Sequence, residues 1–245
     1  MLQIDSHIEI AKSAALLAGA YIKDQQNKDL EILLNEGRDI KLQVDVDAEK
    51  IIKNHLIAKS SFPILAEESG ASNQLNEFYW VVDPLDGTSN FLRNIPISCV
   101  SIALMKDIEP ILGVIFDFNN NDLYFAHHKS KAYLNDSVLS VSSTALKSDA
   151  ILVTGIPAKK NYSDDEFKNM ISDFQSWKKI RMIGSAAMAS VYVASGKADA
   201  YSENGIFLWD VAAGAAIVKA AGGEISLQNL TSDFRVDATF TNKNF

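Results

Sequence analysis

Apolar positions near the start of the chain recur at steps of three and four. Ile8, Ala11, Ala15, Ala18 and Ile22 fall on one stripe, which predicts an amphipathic helix packed on a core. Ser6 and Glu9 have capping-box spacing, so that helix is expected to begin at Asp5-Ser6. Ala48, Ile51, Ile52 and Leu56 predict a second helix from about Val46 to Lys59, with a loop and short strand over 35–44 between the two. The pattern then shortens to runs that read as strands: 62–66, 78–82, 99–105, 111–118 and 123–126. The last two join as a hairpin across the polar turn Asn119-Asn120-Asn121-Asp122. After about Leu139, strands (150–154, 180–183, 198–202) alternate with helices (164–177, 186–194, 208–221), the last closed by Gly222-Gly223. The expected class is layered α/β, as one domain over 1–245 in two intimate halves, about 1–138 (α+β) and 139–245 (α/β).

Composition narrows the partners. The chain has 245 residues, 47% hydrophobic, with a formal net charge of −8. A diffuse negative field argues against nucleic acid or an anionic membrane surface. It leaves a phosphorylated ligand open, because bound cations reverse the local sign. One cysteine, Cys99, excludes an internal disulfide and fits a reducing cytoplasm. The N-terminus has no basic region and no apolar signal core, and no uncharged apolar run nears the roughly 20 residues of a membrane span. His127 and His128 are adjacent on a strand and point to opposite faces, so a shared metal is not expected and both read as exposed. His7 and His55 read as surface or core-edge positions. There is no G-x-S-x-G or C-x-x-C, and Gly196-Lys197 lacks the glycine of a phosphate loop.

Chemistry concentrates in Val81-Val82-Asp83-Pro84-Leu85-Asp86-Gly87-Thr88-Ser89-Asn90-Phe91. Pro84 has no N–H and a fixed φ, so the strand is expected to stop there. The bend would let Asp83, Asp86 and the Leu85 carbonyl face one point, and hard oxygen ligands suit Mg²⁺. Gly87 would let a ligand approach the backbone, and a helix starting at Thr88 would offer free N–H groups to an anion. The plainer alternatives are ordinary ones. A bare D-x-x-D is usually a capped turn, Thr88 and Asp45 could be caps, and Glu203 could be a solvated surface acid. Asp210, in a helix first turn, could merely complement the helix dipole, worth about 0.3–1 kcal/mol.

The eleven-residue string as a whole resembles the inositol monophosphatase family, whose pattern is an apolar strand followed by D-P-[IL]-D-G-T-x-N-F. Two further blocks match: Ala66-Glu67-Glu68-Ser69-Gly70 and Leu208-Trp209-Asp210-Val211-Ala212-Ala213-Gly214 with Gly222-Gly223. Matching segments run from about residue 5 to 225. The resemblance implies an αβαβα sandwich of the inositol monophosphatase and fructose-1,6-bisphosphatase type. It implies two or more Mg²⁺ ions: Glu67, Asp83 and the Leu85 carbonyl on one, Asp83, Asp86 and Asp210 on a second. Two such cations about 3.5–4 Å apart clamp an in-line phosphoryl displacement. Thr88 with Asp45 would activate the water beside Glu67, with Glu68 a structural neighbour. Asp86, Gly87, Thr88, Ala186, Glu203 and Asp210 would face the substrate. Glu203 stands seven residues before Asp210, the spacing of the family's inositol-binding glutamate.

The implied activity is hydrolysis of inositol 1-phosphate, sensitive to Li⁺, in a cytoplasmic homodimer acting on a small phosphorylated substrate. The alternatives are a 3′(2′),5′-bisphosphate nucleotidase, a fructose-1,6-bisphosphatase side activity, or a binding protein that kept the fold and lost catalysis. The complete set of acids and Thr88 speaks against the last. Two departures stand out: Thr154-Gly155-Ile156-Pro157 follows the prokaryotic T-G-F-P form, and Lys41 replaces an apolar residue, which puts a third, weaker metal site in doubt.

Overall fold

A computed structural model of the chain describes residues 4–26, 28–36, 39–157 and 161–245. Helix α1 (Ile4–Gln25) buries the expected stripe, Ile8 through Ile22. It is already helical at Asp5 and Ser6, so Ser6 stands inside its first turn and does not cap it. Strands β1 (Ile32–Glu36) and β2 (Asp39–Leu42) pair antiparallel where a loop and one short strand were expected. Residues 37 and 38 between them lie outside the described set. Helix α2 (Gln43–Lys59) starts ahead of Val46. The cause is Asp45, whose carboxylate accepts the Leu42 amide at 2.6 Å and closes the first turn.

The large sheet contains β3 (Ile64–Ala66), β4 (Gly70–Ala71), β5 (Phe78–Asp86), β6 (Cys99–Lys106), β7 (Glu109–Asp117), β8 (Asp122–His127), β9 (Tyr133–Leu134) and β10 (Ser137–Val138). Its order is β10-β9-β8-β7-β6-β5-β3-β4, an antiparallel meander with β3 added parallel to β5. Side chains alternate along each strand. Trp80 and Val82 therefore join a core under α1 and α2, while Tyr79 and Val81 join a second core on the opposite face. Burial on both faces explains why β5 reads as a continuous apolar run.

A short helix, α3 (Thr88–Leu92), follows β5. The second half brings β11 (Ile151–Thr154), α4 (Asp164–Phe174), β12 (Lys179–Met182), α5 (Ala186–Ala194), β13 (Ala200–Phe207), α6 (Leu208–Ala220), β14 (Glu224–Gln228) and β15 (Arg235–Thr241). The small sheet has the order β12-β11-β13-β15-β14. Helices α5 and α6 fill the space between the two sheets and are apolar nearly all round, as a middle layer requires. With α4 along the outer side of the small sheet, the order is αβαβα, the layered α/β class expected.

Four local expectations are corrected. The strand does not stop at Pro84: β5 continues to Asp86 through a register shift between Asp83 and Asp86, where a proline costs no ladder bond. β13 runs past Ser202 to Phe207 because β15 pairs with it along that length. Strands β14 and β15 were not predicted at all. His127 is buried, not exposed, with Nε2 3.2 Å from Asp5 at the start of α1. His55, bonded to the Ser13 hydroxyl at 2.6 Å, is the core-edge residue expected.

Candidate active site

The parallel pairing of β3 and β5 delivers Glu67 and the Asp83–Asp86 turn to one edge of the large sheet. The Glu67 amide donates to the Val82 carbonyl at 3.1 Å and ties the two strand ends together. From the middle layer, the first turn of α6 brings in Asp210. Glu67, Asp83, Leu85, Asp86 and Asp210 thus line one cleft of about 410 Å³.

Most of these groups are held by a neighbour. Asp83 accepts the Leu85 amide at 3.0 Å. Asp86 accepts the Ser185 hydroxyl at 2.5 Å and the Ala187 amide at 2.7 Å, both from the start of α5. Thr88 donates its hydroxyl to the Leu85 carbonyl at 3.0 Å. Asp45 sits inside the first turn of α2, not ahead of the helix. One of its oxygens holds the Leu42 amide, and the other, Oδ1, is buried with no hydrogen-bond partner. Thr88 also bears on Asp45 and favours its charged form.

Burial dominates the electrostatics. It pushes Asp45 and Glu67 up to about 8 and Asp86 up to about 6, and holds Asp83 and Asp210 well above the usual carboxylate range. Neighbouring acids add to the rise at Glu67, Asp83 and Asp210. No described residue lining the cleft is a lysine, arginine or histidine. No three acidic, histidine or cysteine side chains among the described residues stand at metal-ligating geometry. The donor set nevertheless fits hard divalent cations. It is all oxygen and mutually repulsive, with Asp83 buried, Asp86 and Asp210 half-buried and Glu67 exposed, and a buried carboxylate oxygen of Asp45 stands unpartnered near it.

Lys41, one of the two departures in the sequence, forms an ion pair with Glu68. The Glu68 amide donates to Glu49 at 2.8 Å, and Lys53 reaches Glu49 at 3.7 Å. Glu68 is therefore engaged away from the cleft lining.

The opposite wall comes from the second half. Ala186 at the start of α5 and Glu203 on β13 both line the cleft. Glu203 is only 9% exposed, not a solvated surface acid, and burial pushes it up to about 8. Gly87 has φ +88°, and a Cβ there would fall 2.7 Å from the Ile97 carbonyl, so the backbone itself demands glycine. Sequence reasoning missed Asn90, whose amide donates to the Ile97 and Ile183 carbonyls at 2.8 Å each and joins α3 to the second half. It also missed the rim where Phe207 stacks on Trp209 at 4.4 Å under the Arg235 guanidinium, because Arg235 lies on the unpredicted β15.

The sequence pattern of the inositol monophosphatase family matches residues 3–237. The chain belongs to the inositol monophosphatase family. Nus factor SuhB of Xylella fastidiosa is 39% identical over 224 residues, covering 89% of this chain and 80% of that protein. The inositol-1-monophosphatase of Synechocystis is 38% identical over 236 residues, covering 91% of this chain and 79% of that protein. The solved structure of inositol monophosphatase from Anabaena (Nostoc) superposes with a TM-score of 0.85 at 31% identity, covering 99% of this chain and 93% of that one. Both the family and the layered fold expected from the motifs are thereby shown. Membership places the chain among phosphatases of small phosphorylated substrates, a family of metal-dependent catalysis. No described helix is long and apolar enough to cross a membrane.

Proposed function

We propose that this chain is a Mg²⁺-dependent phosphomonoesterase that hydrolyses inositol 1-phosphate to inositol and phosphate. One observation carries the reading. Four carboxylates from three segments line the same cleft as Thr88, facing a buried Glu203 on the other wall. Glu67, Asp83, the Leu85 carbonyl, Asp86 and Asp210 would hold the ions, which supply Lewis-acid stabilisation of the phosphoryl oxygens and a more acidic water. Thr88 and Asp45 would orient that water and favour its deprotonation, a role supported by the Thr88 side chain bearing on Asp45. The Gly87 and Thr88 amides hold the phosphate at the start of α3. Ala186 leaves room for the ring, and Glu203 accepts hydrogen bonds from its hydroxyls, each charged-acceptor bond worth roughly 1.5–3 kcal/mol. Cations held in the cleft would offset the rise in Glu203 and keep it ionised, and its carboxylate would then also repel the second phosphate of a bisphosphate nucleotide. In the same reading the enzyme works as a cytoplasmic homodimer and is inhibited by Li⁺.

The test is phosphate release, with and without Mg²⁺, from inositol 1-phosphate, adenosine 3′,5′-bisphosphate and fructose 1,6-bisphosphate. Inositol 1-phosphate should be the best substrate, and only with Mg²⁺. A wide preference for the nucleotide would install the nucleotidase reading in its place. Release of phosphate from none of the three would leave a binding protein.

A further inference from the structure

Helix α4 is the one described α-helix that buries no side chain. Beneath it lies a second cavity of about 350 Å³, with Met170 and Phe174 of α4 on one side and Leu152, Ser202 and Asn204 of the small sheet on the other. The cavity adjoins the cleft: Thr154, Gly155 and Glu203 line both. The Thr154 hydroxyl is committed to the Ser202 carbonyl at 2.6 Å and stays out of the way. At Gly155 a Cβ would fall 2.4 Å from Oε1 of Glu203, so the missing side chain is what leaves a threshold between the two spaces.

We propose that this chamber receives a glycosyl ring carried by the alcohol of a phosphate monoester whose phosphate sits in the cleft, so that the substrates include glycosylated polyol and disaccharide monophosphates. The inference rests on the phosphatase reading above and deepens it. Size is the first argument. Ligand sites run from about 300 to 1,000 Å³, and the chamber lies at the low end, where one ring fits. Charge is the second. Glu166 and Glu203 line the chamber, and Asp173 there is paired with Lys147 at 3.3 Å, a lining that favours a neutral moiety over a second phosphate. Chemistry is the third. Leu152, Met170 and Phe174 offer an apolar surface for the C–H face of a sugar, and Asn169, Ser202 and Asn204 offer polar groups to its hydroxyls. Continuity through Thr154, Gly155 and Glu203 supplies the tether that makes the ring part of the same substrate.

The experiment compares sucrose 6-phosphate with glycerol 2-phosphate, an ester too short to leave the cleft, in wild type and in Met170→Trp. Met170 belongs to a helix that buries nothing, so the larger side chain should be accepted by the fold. Asn169→Trp fills the chamber from the neighbouring position if Met170→Trp does not fold. The filled variants should raise KM for sucrose 6-phosphate about tenfold, with kcat and KM for glycerol 2-phosphate unchanged. Calorimetry with sucrose itself should show binding to wild type that the filled variants lose. Equal effects on both esters, or no effect on sucrose 6-phosphate and no loss of sucrose binding, overturn the chamber. If neither ester is hydrolysed while sucrose binding still separates wild type from variant, the phosphatase reading falls and the chamber stands.

Discussion

On the large-sheet wall of the cleft, Asp83, Leu85, Asp86 and Thr88 are bound to one another or to the start of α5 within 2.5–3.0 Å. On the opposite wall, Glu203 stands beside a glycine and a second cavity, under a helix that buries nothing. The first wall is a strand end stiffened by a bulge and by backbone donors. The second is a rim with room in it. A phosphoryl group presents the same charge and shape in every ester, so groups that act on it gain from being fixed within a fraction of an ångström. In the proposed reading the alcohol differs between substrates, and the wall that would meet it has fewer contacts to keep.

The sharpest way to break this contrast is Asp83→Asn. At saturating Mg²⁺ it should lower phosphate release about 10²–10³-fold, as removal of a preorganised electrostatic group does. Turnover near wild type would detach Asp83 from the chemistry.

The second test uses the acids of both walls together. Glu67, Asp45 and Glu203 are pushed up to about 8 and Asp86 up to about 6, above the ordinary range near 4. Between those values the folded state binds more protons than the unfolded one, so stability must rise as pH falls. Chelator-treated protein should therefore melt several degrees higher at pH 6 than at pH 9, at about 2–4 °C per kcal/mol for a chain of this size. Mg²⁺ should flatten the difference by binding the deprotonated folded form. A chelated protein that melts lower at pH 6 would contradict the sign.

A smaller effect, confined to the substrate wall, is expected from Glu203→Gln. KM for inositol 1-phosphate should rise about tenfold, or about 1.4 kcal/mol, while hydrolysis of glycerol 2-phosphate stays nearly unchanged. The smallest is Gly155→Ala. Its methyl group would fall 2.4 Å from Oε1 of Glu203 and must displace that carboxylate. A few-fold rise in KM for inositol 1-phosphate with kcat retained is expected from steady-state kinetics. An equal loss with glycerol 2-phosphate would show that the displacement reaches the catalytic wall.

Much of this is legible in the sequence alone. The stripe in α1, the bounds of α5 at Ala186–Ala194 and the last helix, within one residue of its end at Ala220, follow from apolar spacing and a glycine stop. Such signals are local, because a helix closes its hydrogen bonds within one segment. The motif string named the residues that the fold then gathers into one cleft.

What only the tertiary structure decided lies where a partner strand or a distant side chain sets the outcome. β5 passes through Pro84 because β6 pairs with it on both sides of a bulge. The polar residues Glu203 and Asn204 belong to β13 because β15, more than thirty residues later, supplies their ladder. Lys41 is a departure that the sequence leaves unpaired and Glu68 meets in the fold, and His127, which reads as exposed, is buried and reaches Asp5 in the first turn of α1. Residue identity determined which groups could act on a phosphate. Long-range pairing, whose partners lie far apart in sequence, determined which of them share a cleft and how deeply each is buried.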